Sequence, residues 1–117
     1  MEIKTIVFWV LLIAFAVPGF IFGYQKLVAQ KQKIEQFKRF GYPIWFMRLL
    51  GTAEIFACAC LLFSQTRYYG LDVFLIILPG AIYTHIKVND SKKEIMAPII
   101  VAIHLMVIFL MVIWFKI

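Results

Sequence analysis

Charge is what this sequence has least of. Only 15% of its 117 residues are Asp, Glu, Lys or Arg, where a soluble domain carries about a quarter. Apolar residues make up 64% of the chain, and mean hydropathy is +0.93. A water-soluble domain this small keeps too much surface exposed to hide so many apolar side chains. A soluble globular domain and a disordered chain are therefore excluded. Cysteine is almost as scarce. Cys58 and Cys60 form a C-x-C, which is neither a C-x-x-C redox pair nor half of a zinc site. On a helix they point about 200° apart and cannot readily bridge, so they read as small fillers. No haem, iron–sulfur or nucleotide motif is present, so no cofactor is evident and no metal site is expected. The alternating ten-residue segments of a membrane β-barrel are missing too.

What is present is four long apolar blocks, at 5–23, 45–64, 71–86 and 95–115. Each is close to the length needed to cross about 30 Å of hydrocarbon as a helix. The first could be read as a signal peptide, with Ala14-Phe15-Ala16 as a cleavage-like site, but its leading segment is weakly positive and apolar residues continue past the cut. A true span is the favoured reading. Backbone groups in lipid must bond internally, so the expectation is an all-α membrane protein. It is a single four-span transmembrane domain, 1–117, folded as a four-helix bundle. Pro18-Gly19 and Pro79-Gly80 are expected to kink the first and third spans, each freeing one carbonyl. Gly19, Gly23, Gly51 and Gly80 would permit close helix contacts.

The net charge of +6 comes from 12 basic and 6 acidic residues. The basic residues lie between apolar blocks, so lipid headgroups rather than nucleic acid are the expected partner. Eight of them fall on two connections, 24–44 and 87–94. Loops rich in Lys and Arg stay cytoplasmic. The expectation is a multi-pass protein of the cell membrane with both connections in the cytoplasm and both termini opposite. In the first connection Leu27, Ile34 and Phe37 share one helical face, with Lys31, Lys33, Lys38 and Arg39 around it. This reads as a basic amphipathic helix on the bilayer surface, or as a solvated extension of the first span. The four cations are candidates for headgroup contact. Gly41-Tyr42-Pro43 ends that helix. Ser91 is placed to cap the fourth span, with Glu94 three residues on.

Ionisable residues inside a membrane are costly and mark candidate sites. Glu54 and His104 each lie nine residues into a span that starts on the basic side, roughly 13 Å deep. The expectation is that they share one level, where they could share a proton, pair or hold a ligand. Lys26, Arg48, Thr84 and His85 gather toward the same end. Arg48 and Lys26 could equally snorkel to phosphate, and His85 could make an interfacial hydrogen bond. Asp72 reads as structural at a helix start.

The order Gly23-x-x-Lys26-Leu27, Phe40-Gly41-Tyr42-Pro43-x-Trp45-Phe46, Gly51-x-x-Glu54 and Gly80-Ala81-x-x-Thr84-His85 resembles the DoxX-like family of small four-span membrane proteins, the DoxX, DoxD and MauE relatives. The resemblance runs over about the whole chain. It implies an accessory or subunit of a membrane redox system rather than an enzyme acting alone, with quinone or a partner protein as ligand. The family's recurrent positions fall on Lys26, Gly51, Glu54, Gly80, Thr84 and His85. The C-x-x-C of epoxide-reductase-like members is missing, and thiol–disulfide exchange goes with it. Two other readings compete. A proton-coupled dimeric transporter would use Glu54, although the first span carries no charge. A non-enzymatic assembly factor would align other helices. The expected partners are thus the bilayer and either a membrane protein or a second copy of the chain.

Overall fold

The computed structural model describes residues 2–115. Five helices follow in order: α1 Ile3–Leu27, α2 Lys31–Phe40, α3 Ile44–Leu62, α4 Arg67–Lys87 and α5 Lys92–Phe115. Among the described residues there is no strand. All but α2 are long and apolar enough to cross a membrane. The four long helices close a ring in the order α1, α3, α4, α5 and back to α1, while α2 lies against α1 and α3. Phe8, Leu12, Phe74, Leu105 and Ile108 fill the centre of the ring. The outer faces stay apolar, as at Ile76 and Trp114, which suits lipid and not water.

The helices are longer than the apolar blocks that announce them. α1 continues to Leu27, so Leu27 belongs to α1 and not to the amphipathic connection. α4 starts at Arg67 rather than Leu71. The reason is local. Arg67 is buried, donates from Nε to the Leu61 carbonyl at 2.8 Å, and lies over the Phe8 and Trp9 rings. A guanidinium with a carbonyl and two π-faces can start a helix at an apolar corner. Asp72 thereby falls in the second turn and is exposed.

Helix ends at one end of the bundle share a device. Ala29 (φ 55°), Gly41 (φ 84°) and Asn89 (φ 57°) are left-handed. The next amide in each case returns to a carbonyl five residues back: Gln30 to Gln25, Tyr42 to Phe37 and Asp90 to His85, each 3.0 Å. This closure satisfies carbonyls that the helix leaves open. It turns the chain sharply from α1 into α2, α2 into α3, and α4 toward α5. Ser91 accepts from the Glu94 amide at 3.4 Å, as its cap position predicts.

Candidate functional site

The α1–α3 seam sets the geometry. The two helices run antiparallel with Gly19 opposite Cys58, Gly23 opposite Glu54, and Lys26 opposite Gly51. A Cβ at Gly51 would stand 2.5 Å from the Gly23 carbonyl oxygen, and one at Gly19 would stand 2.5 Å from the Cys58 Sγ. Only glycine allows backbones this close. The approach brings Lys26 Nζ to 2.5 Å from Glu54 Oε1, with side chains 16% and 7% exposed. Cys58 and Cys60 are free and buried.

Beside this pair lies a chamber of about 660 Å³. Phe15, Pro18 and Phe22 of α1, Phe37 and Phe40 of α2, and Phe74 and Leu78 of α4 give it apolar walls. Polar groups interrupt them at a few points: Lys26, Lys33, Gln36, Tyr42, Glu54, Thr84, His85 and His104. Its volume falls in the roughly 300–1,000 Å³ range of ligand pockets, which combine apolar walls with a few placed polar groups. Pro18 and Pro98 both line it. Neither has an amide hydrogen, so the carbonyls of Ala14 and Glu94 lose a helix donor. α1 and α5 nevertheless run through their prolines, as α4 does through Pro79.

The expected site residues separate into groups. Lys26 and Glu54 pair. Thr84 donates to the Gly80 carbonyl at 2.8 Å and shares a 2.9 Å hydrogen bond with the Tyr42 hydroxyl. His85 is bonded through Nδ1 to Asp90, with its ring edge-on to Phe40. His104 donates from Nε2 to the Leu11 carbonyl at 2.9 Å and stacks edge-on against Phe15. Arg48 is exposed and does not line the chamber; its carbonyl accepts from Thr52. Lys31 and Lys38 are exposed along α2. Lys33 and Arg39 are engaged within the protein. Lys33 lies over Phe22, and Arg39 pairs with Asp90 and Glu94.

Glu54 and His104 do not share one level. Glu54 is opposite Gly23, and His104 packs on Phe15. Eight residues of α1 separate these, about 12 Å of rise. Counting from the first apolar residue misplaced them because α3 and α5 do not start level. With Glu54 opposite Gly23 and His104 on Phe15, the first turns of α3 from Ile44 lie beyond the end of α1, whereas Lys92 of α5 lies about level with Leu27. Both line the chamber, one toward each end.

Asp90, Tyr42 and Arg39 complete the basic end, and sequence patterning did not single out Asp90. Arg39 grips both Asp90 oxygens and reaches Glu94 at 3.6 Å. The guanidinium holds the Asp90 carboxyl well below the usual carboxylate range, at about 2, with the His85 hydrogen bond adding to the effect. The same pairing raises Arg39 further. His85, Asp90 and Glu94 present ligand atoms within 4.8 Å of one another. Arg39 already pairs with both carboxylates of that cluster, so it reads as an ion-pair network.

The model of the DoxX-like family matches residues 7–109. No curated protein and no solved structure matches the chain.

Proposed function

The chain belongs to the DoxX-like family, and from that premise we propose that it is a ligand-binding accessory or subunit of a membrane redox system. The chamber carries this reading. Its aromatic walls suit a flat or slender lipid-soluble body, and Lys26, Tyr42, Thr84 and His104 offer hydrogen bonds to a head group. A quinone has both properties and is the ligand the resemblance suggests. Glu54 is already neutralised by Lys26, which supports a positioning role more than that of a proton carrier. The free cysteines are buried and form no C-x-x-C, so they are not set up to exchange disulfides. Electrons would therefore come from a partner protein, and the chain is not an enzyme on its own.

The test is binding of decylubiquinone to the purified protein in a neutral detergent. Saturable binding is expected. It should weaken at least tenfold in Gly80→Leu or Ala81→Leu, which add bulk at chamber-lining positions; a Cβ at Gly80 meets no atom within 4 Å. Absence of binding, or equal binding by wild type and both variants, would overturn the reading. On sidedness, we propose that the end bearing α2 and the 87–94 connection faces the cytoplasm, supported by the concentration of Lys and Arg there.

A further inference from the structure

A second, more polar hollow of about 770 Å³ adjoins the chamber. Phe22, Lys33, Gln36, His85 and Ala97 line both, so the two spaces share one boundary. The amphipathic helix α2 is the partition. Phe37 and Phe40 belong to the oily side, and Gln32, Glu35 and Arg39 to the polar side.

Lys33 stands on this boundary. It is half-buried, and its Nζ lies 5.0 Å from the Phe22 ring centroid. Among the described residues it makes no ion pair, whereas Lys26 has Glu54, and Arg39 has Asp90 and Glu94. Burial and the neighbouring Lys26 charge push its pKa down, against a smaller opposing pull from Glu54. A partly desolvated ammonium without a counter-ion is a position that an anion stabilises. The carboxylates lining the hollow do not serve: Glu94 is held by Arg39, and Glu35 faces solvent. The amides of Gln32 and Gln36 supply further donors beside Lys33.

We propose that chamber and hollow together bind a single-chain anionic amphiphile, its tail in the chamber and its carboxylate or phosphate head on Lys33. The proposal rests on the reading of the chamber as a ligand site and goes beyond it by giving that site a second class of occupant, anionic where a quinone is neutral. An exposed Lys would select such a head weakly. A half-buried one, able to make charge-assisted hydrogen bonds at the edge of an apolar space, selects it strongly.

The experiment compares three probes with the same tail: oleate, oleoyl-lysophosphatidate and methyl oleate. Binding is read by native mass spectrometry in neutral detergent. Wild type should bind the two anions at least about tenfold tighter than the methyl ester, the size expected of one charge-assisted hydrogen bond. Whichever anion binds tighter identifies the head as carboxylate or phosphate. Lys33→Gln should erase the preference while keeping methyl oleate binding. Lys33→Arg should retain it, as should Lys38→Gln, which removes an exposed charge outside both spaces. Equal binding of all three probes by wild type, or an unchanged preference in Lys33→Gln, overturns the inference and leaves the chamber reading standing. If no tailed probe binds and decylubiquinone also fails, the chamber reading itself falls.

Discussion

Lys26 and Glu54 sit 28 residues apart in sequence and meet because two glycines let their helices touch. Breaking a buried pair leaves one uncompensated charge, which typically costs about 3–5 kcal/mol, whereas replacing both partners with apolar groups is often near neutral. Lys26→Met and Glu54→Leu should therefore each lower the thermal midpoint in detergent sharply, and the double variant should recover most of the loss. Two additive losses would show that the pair does not act as a unit. Glu54 was legible in sequence as an acid in an apolar block. Lys26 was legible as a candidate, but its pairing with Glu54 was not, because Lys26 falls beyond the apolar block that marked the first span. The available signal was a shared spacing: Gly23-x-x-Lys26 and Gly51-x-x-Glu54 put a charge one turn after a glycine on two consecutive spans. His104 was legible as a polar intrusion, but a histidine's bond to a distant backbone carbonyl leaves no trace in spacing.

At the scale of elements, α2 is the piece most dependent on side chains for its place. Phe37 and Phe40 anchor its apolar face with Met47, and Arg39 ties its end to the 87–94 connection. Asp90 titrates at about 2, lower than an unpaired carboxyl. A depressed folded value means the ion pair contributes fully above the ordinary carboxylate range and is lost as pH falls through about 2. Asp90→Asn should therefore loosen α2 at neutral pH. Spin-label distances from α2 to α5 should broaden in that variant and in Arg39→Ala. An unchanged distribution in both would mean the aromatic contacts suffice. The αL residue between α2 and α3 gives a second expectation. Gly41→Ala forces a side chain into a conformation costing roughly 1–2 kcal/mol, although no atom lies within 4 Å of its Cβ. A correspondingly lower midpoint in thermal unfolding is the check. The amphipathic pattern made α2 readable, while the half-buried setting of Lys33 and the ion pairs of the exposed Arg39 could not be read, since a helical wheel does not say which neighbours the polar edge meets.

The whole molecule is a closed ring of four spans with its cations concentrated at one end. Span number and helical class followed from hydropathy alone, because lipid leaves the backbone so few choices. Span ends did not, and Arg67 shows why: hydropathy scores it as loop, while a carbonyl and two rings make it a helix start. If the basic end is cytoplasmic, a cysteine placed at Lys38 in a cysteine-free background should react with an impermeant maleimide only from the inside. One placed at Tyr69, beyond the opposite end of the chamber and exposed, should react only from the outside. The reverse pattern would invert the topology.

The glycine seam also has a consequence for biogenesis. α3 alone would enter the bilayer with Glu54 unpaired, and α1 would hold Lys26 near the interface with no counter-charge. An acid near a helix centre costs about 2.5–3.5 kcal/mol on insertion scales. α2 is too short and polar to follow either span across, so α1 and α3 are delivered from the same side. Once they touch along Gly19, Gly23 and Gly51, the two charges cancel. The unit of insertion is then the α1–α3 hairpin, and α3 should integrate poorly when synthesised without α1 and well when α1 precedes it.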